Sequence, residues 1–192
     1  MTPRDLPTAA TLPAPGSVLV RIARPADVDG VRDLAHAVAA QPLLVRYGTR
    51  PDRLASDLCA LCGAAPDTPR EEVLLLAYSA PPTHDPDGNP PLLGFARIQL
   101  GGAAGGHFGR GGYLRLIALR PGHESRGVGR SLLSSVEETV RAAHRDLFLL
   151  TSDFNHGAQR FYERAGYLRV GALPDFVRAG ITELLYWKRL ST

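Results

Sequence analysis

Two clusters of residues carry types and spacings that could do chemistry. The first is Pro121-Gly122-His123-Glu124-Ser125-Arg126-Gly127-Val128-Gly129-Arg130. It lies between an apolar run closing at Leu119 and a helical stripe of Leu132, Leu133, Val136, Val140 and Ala143. A helix start carries unpaired amide N–H groups and a partial positive charge. Small residues there let a phosphate or pyrophosphate approach the backbone, and Arg126 and Arg130 can add charge. A tight strand-to-helix turn also needs glycine, so Gly-x-Gly alone is a weak signal. The second cluster runs from Asn155-His156-Gly157-Ala158-Gln159-Arg160-Phe161-Tyr162 to Ala165-Gly166-Tyr167. Asn155 suits a helix cap, and Tyr162 suits the apolar face of the helix that follows.

Other nucleotide chemistries fail on the residues. A P-loop needs Gly-Lys-Ser/Thr, which is absent. A dinucleotide fold needs a third glycine where Leu132 stands, in a turn near the start of the chain. The charge is moderate, at +3, and Lys188 is the only lysine. No basic run interleaved with aromatics marks a nucleic-acid face. Cys59 and Cys62 form a lone C-x-x-C inside a leucine-rich helical stretch. With no second Cys/His pair at finger spacing, they read as buried structural thiols and no metal is expected. Met1–Gly16 lacks the apolar core of a secretory leader, and no apolar run is long enough to cross a bilayer. The expectation is a soluble, cytoplasmic protein that binds neither nucleic acid nor membrane.

These clusters need a scaffold. At 192 residues and 44% hydrophobic content, the chain can bury a core. The proline-rich residues 1–16 read as a flexible arm, and 17–192 as a single domain. Strands are expected over 17–23, 72–78, 92–100, 113–119, 146–151, from Tyr167 to Val170, and over 182–187. A helix follows Asp27, a good cap, and stops at Pro42. A second begins at Pro51. A third covers 130–143, and a short one ends at Gly166. Residues 63–70 read as a linker, 79–91 as a loop, and 101–112, with seven glycines, as a hairpin tip or a mobile wall. The result is an α+β domain with a mixed sheet, in which the fourth and fifth strands are parallel across a helical crossover.

Both clusters resemble motifs of the GNAT superfamily of N-acyltransferases. Glu124-Ser125-Arg126-Gly127-Val128-Gly129 is similar to its Gln/Arg-x-x-Gly-x-Gly/Ala motif, with Glu124 and Ser125 as departures and both glycines kept. Asn155, Ala158, Phe161, Tyr162, Gly166 and Tyr167 match every fixed position of its Asn-x-x-Ala-x-x-Phe/Leu-Tyr-x-x-x-Gly-Phe/Tyr pattern. The resemblance implies a mostly antiparallel sheet with splayed strands 4 and 5, and acetyl-CoA as co-substrate. It places main-chain pyrophosphate donors on Arg126, Gly127, Val128, Gly129 and Arg130. It places pantetheine contacts on Ile117, Leu119 and Asn155, and makes Tyr162 the acid that protonates the departing thiolate. It also admits a homodimer through late strands.

The resemblance implies acetyl transfer to a primary amine by direct attack, with a small-molecule amine as the leading acceptor. A protein or peptide amine, or a non-catalytic CoA-binding regulatory module, are the alternatives. The amine must lose a proton, for which the family often uses a strand-4 glutamate or water. Tyr113–Leu119 contains no acid. Glu183, Asp175 and His107 are the candidate bases, with Glu183 preferred because the final strand borders the acceptor pocket in that fold.

Overall fold

The computed structural model describes residues 18–63, 71–79, 91–100 and 111–191. The expected arm over 1–16, most of the 63–70 linker and 79–91 loop, and the glycine-rich segment through Arg110, with His107, lie outside the described residues. Strands β1 (Val18–Ile22), β2 (Glu72–Ser79), β3 (Leu92–Gln99), β4 (Gly112–Leu119), β5 (Asp146–Ser152), β6 (Leu168–Pro174) and β7 (Thr182–Arg189) form one sheet in the order β1-β2-β3-β4-β5-β7-β6. Only the β4–β5 pair is parallel. The α+β class and the mixed, mostly antiparallel sheet are as expected.

Helices cover both faces. On one lie α1 (Val28–Ala39), α2 (Pro42–Arg46) and α3 (Pro51–Cys62); on the other lie α4 (Val128–Arg141) and α5 (His156–Arg164). This explains why β2 reads as a continuous apolar run. Val73, Leu75 and Ala77 enter the α4 core, while Leu74, Leu76 and Tyr78 enter the α1–α3 core. A strand buried on both sides has no polar face to show.

Two local expectations change. Asp27 precedes α1, but its side chain caps nothing there. It accepts from Arg21 at 2.7 Å through both oxygens, from the Tyr78 hydroxyl at 2.8 Å and from the Arg24 amide at 2.7 Å. A bidentate guanidinium outcompetes a single capping amide. Pro42 does not merely end a helix. α1 already stops at Ala39, and Pro42 opens α2 at a position where its missing N–H costs nothing.

A register shift in β4 shapes the site. Arg97 pairs with Leu116 and Ile98 with Leu114, so Arg115 is an extra, unpaired residue. The bulge reverses the alternation of faces. Leu114 lies in the α4 core, and beyond the bulge so do Ile117 and Leu119, while Leu116 and Ala118 turn to α1–α3. A bulge also bends its strand. Pairing of β4 with β5 covers only Gly112, Tyr113 and Leu114, opposite Leu147, Phe148 and Leu149. Gly112 begins β4 rather than belonging to a floppy tip. A Cβ there would meet Val140 Cγ1 at 2.6 Å, so glycine lets α4 seat closely where the strands still pair.

Candidate active site

Past Leu114 and Leu149 the two strands separate, and their main chains face the gap. Arg120 N donates to Leu93 O at 2.8 Å. In an antiparallel ladder the bonded positions alternate, so Ala118 and Leu116 also point to β3, and Ile117 and Leu119 point away from it, toward β5. On the other side Asp153 N donates to Thr182 O at 2.9 Å, so Leu150 and Ser152 turn their main chains away from β7, toward β4. Unpaired backbone groups of this kind need partners, and an extended amide-bearing chain could supply them. One is already engaged: Gln41 Nε2, from the α1–α2 junction, donates to Leu119 O at 2.7 Å.

The glycine loop lies at one end of this gap. Gly127 is the N-cap of α4, with φ of 83°, in the left-handed region where glycine carries no steric penalty. The first bond into the helix is Ser131 N to Gly127 O, which leaves the amides of Val128, Gly129 and Arg130 without helical partners. A Cβ built on Gly127 meets nothing within 4 Å, and one on Gly129 meets only ordinary contacts, Phe161 Cζ at 3.7 Å and Leu119 Cδ1 at 3.8 Å. The protein's own atoms therefore do not demand glycine at 129, whereas an anion lying on the amides would. Those two contacts also show that the α4 start, the end of β4 and α5 converge. Arg126 and Arg130 are exposed beside the loop and form no ion pair with described residues.

The two departures in this loop acquire physical roles. Glu124 turns back, its carboxylate accepting from the Gly122 amide at 2.9 Å. Ser125 has φ of 62°, a conformation that glycine adopts without strain. Left-handed backbone costs a non-glycine residue about 1–2 kcal/mol, and glycine's extra freedom when unfolded returns about 0.4–1 of that. Ser125→Gly should therefore raise the melting temperature by about 2 °C in calorimetry.

Tyr162 lies on α5, at the core face of the gap. Its ring stacks near Phe161, Tyr167 and Tyr186 at centroid distances of 5.3, 5.7 and 6.2 Å. The two neighbouring tyrosines are committed: Tyr167 donates to Glu137 at 3.1 Å and Tyr186 to Glu163 at 2.9 Å. The Tyr162 hydroxyl makes no hydrogen bond with the described residues. Burial, and then the nearby Tyr113, push its pKa well above the usual phenol range, so it stays protonated. Asn155 caps α5, its Oδ1 accepting from Ala158 N at 3.2 Å. The cap orients the amide beside the end of β5.

A splayed pair of strands with main-chain groups facing the gap ends at an open helix start, and α5, which carries the uncommitted phenol, packs beside both through Phe161. The sequence model of the acetyltransferase (GNAT) family matches residues 64–167. The chain belongs to that family.

It is thus of the acyltransferase class. Solved structures share the fold. A GNAT-family protein from Desulfovibrio desulfuricans is 24% identical, with a TM-score of 0.64 over 91% of this chain and 100% of its own. Arabidopsis thaliana NAA60, in complex with a bisubstrate analogue, is 16% identical, with a TM-score of 0.66 over 91% and 100%. The ribosomal-protein-S18-alanine N-acetyltransferase of Escherichia coli is 14% identical, with a TM-score of 0.62 over 92% and 96%.

Glu183 sits across the sheet from Tyr162. Its strand neighbour Leu184 enters the α4 core, so Glu183 faces the α1–α3 side, where it is 2% exposed. The Tyr47 hydroxyl, just past α2, donates to Glu183 Oε1 at 2.5 Å. Burial raises the Glu183 pKa; the Tyr47 hydrogen bond opposes this and the Asp153 charge adds to it. Tyr47 is itself pushed up to about 12, by burial and by Glu183, with the nearby Ser152 hydroxyl working against them. Of the other candidate bases, Asp175 is tied to a turn, its Oδ1 accepting from Gly180 N at 2.6 Å, and His107 lies outside the described residues.

The sequence reading assigned nothing to Gln41, Tyr47 or Ser152, all of which border the gap or Glu183. Each is a single residue brought in from a distant segment, without a local pattern to announce it. Cys59 and Cys62 are free, and burial pushes Cys62 up to about 11, which suits an inert core thiol. Among the described residues no His/Cys/Asp/Glu group could hold a metal, and no helix is long and apolar enough to cross a membrane.

Proposed function

We propose that this acetyltransferase moves an acetyl group from acetyl-CoA to a primary amine by direct attack, without a covalent enzyme intermediate. The uncommitted Tyr162 hydroxyl carries the reading, because its ring-packed neighbours spend theirs on carboxylates and it does not. In this reading the amides of the Arg126–Arg130 loop hold the pyrophosphate, and Ile117 and Leu119 pair with the pantetheine amides beside Asn155. Glu183 takes a proton from the amine. A carboxylate whose pKa is raised by burial is a stronger base than a solvated one, which suits work near neutral pH. Tyr162 then protonates the leaving sulfur, whose free-thiol pKa is about 8.5. Its own raised pKa keeps the proton in place until the C–S bond breaks.

The buried setting of Glu183 under Tyr47 supports a small-molecule amine. A second reading, a peptide amine, is favoured by Phe176 and Val177, which stand 63% and 57% exposed on the β6–β7 turn. Two free thiols fit a reducing cytoplasm. The test begins with calorimetric titration of CoA into the protein. Thiol release from acetyl-CoA is then followed over simple alkylamines, amino acid amides and short peptides with free N-termini. CoA binding with turnover on an amine is the expected result. CoA binding without turnover on any amine would favour the regulatory module, and no CoA binding would end both readings.

A further inference from the structure

Ser152 is the buried polar side chain that neither the fold nor the proposed chemistry has used. It is 1% exposed, and its Oγ is the only fully buried side-chain polar atom that meets no partner at hydrogen-bond geometry among the described residues; the Tyr47 hydroxyl stands near enough to feel it but not in line for a full bond. An unpaired buried hydroxyl costs stability, and alanine would fill nearly the same space without that cost. Most buried polar atoms are satisfied, so this one calls for a reason.

Its position supplies one. Ser152 lies directly opposite Glu183 in the β5–β7 ladder. Because the Asp153 amide donates to the Thr182 carbonyl at the neighbouring position, Ser152 and Glu183 occupy a non-hydrogen-bonded position, where facing side chains stand closest. The Ser152 backbone is held firmly, its carbonyl accepting from Gln159 Nε2 at 3.1 Å and from Asn155 N at 3.0 Å. Tyr47 occupies Glu183 Oε1, and no described residue donates to Oε2. Two hydrogen-bond acceptors, a hydroxyl oxygen and a carboxylate oxygen, therefore stand side by side on adjacent strands at the end of the gap. A primary ammonium offers the matching pair of N–H donors.

We propose that Ser152 Oγ and Glu183 Oε2 form the subsite for the acceptor's primary ammonium, in which Ser152 positions the nitrogen and Glu183 removes its proton. The proposal rests on the N-acetyltransferase reading and deepens it. The ammonium gives one proton to the Glu183 carboxylate, leaving a neutral amine and a carboxylic acid. The nitrogen lone pair forms the N–C bond, and the C–S bond breaks with its electrons going to sulfur. The Tyr162 phenol protonates that sulfur and is reprotonated by the second amine proton. Ser152 makes and breaks no covalent bond; it accepts an N–H throughout. An alcohol acceptor brings only one donor and no charge, so the subsite selects amines.

Propylammonium chloride is a suitable probe, titrated into protein saturated with CoA and followed by ligand-observed NMR. Ser152→Ala should weaken propylammonium binding at least about fivefold, the loss expected for one hydrogen bond to a charged group. It should leave CoA affinity unchanged and raise the melting temperature by about 2–4 °C, because an unsatisfied hydroxyl has been removed. Unchanged propylammonium affinity, a fall in melting temperature, or no propylammonium binding to the wild-type protein would each overturn the proposal. Failure of the wild-type protein to bind CoA would instead overturn the N-acetyltransferase reading.

Discussion

Tyr162→Phe should lower kcat about a hundredfold or more, the usual range for removing a positioned general acid. The acetyl-CoA KM should stay within about twofold, because the lost hydrogen bond forms only as the sulfur gains charge. Stability should change by less than about 1 kcal/mol, since the hydroxyl has no partner to lose and the ring packing is kept. Two neighbours make the control sharp. Tyr167→Phe and Tyr186→Phe each break a hydrogen bond to a carboxylate, so they should cost stability and spare kcat. Steady-state kinetics beside calorimetry on the three variants separates the roles. Equal kcat in Tyr162→Phe and wild type would return Tyr162 to the core.

Glu183→Gln should lower kcat/KM for the amine by about 10²- to 10⁴-fold and remove the acid limb of its pH profile. The same substitution carries a stability signature with a defined sign. The folded carboxyl pKa is raised, chiefly by burial, so between the unfolded value and the raised one the native state binds more protons. Wild-type stability therefore falls as pH climbs through that window, and the penalty is fully present above it. Glutamine bears no such charge and still accepts from Tyr47. The variant should match the wild type near about pH 4, close to the unfolded carboxylate value, and gain on it as pH rises. Melting curves across that range read the difference directly. A variant less stable than wild type at neutral pH would mean that the charge itself holds Tyr47 and α2 in place.

Much of the fold was legible in the sequence because its signals are local. The continuous apolar run of β2 and the stripe Leu132, Leu133, Val136 and Val140 report burial through residues only a few positions apart. The glycine loop and the Asn155–Tyr167 segment were legible for the same reason. A helix start, its cap and the residue one turn along are set by adjacent positions, so the amides of Val128–Arg130, the Asn155 cap and the placement of Tyr162 on α5 follow from spacing. Even Ser125 was visible as an anomaly before its φ explained it.

The base side of the site was legible only in part. Glu183 could be nominated as an acid on the last strand, but its burial, its raised pKa and its Tyr47 partner could not. Those depend on α2 docking over a strand more than a hundred residues away, and on the register that sets Ser152 opposite Glu183. The extra residue Arg115 was equally hidden, because Tyr113–Leu119 reads as an ordinary apolar strand with or without a bulge. By itself the sequence determined the family, the open helix start and the candidate proton donor, all of which are properties of short continuous segments. Only the tertiary structure decided where the strands part, which carboxylate is buried and which hydroxyl is left unpaired. Burial, register and desolvation belong to pairs of segments that meet only in the folded chain.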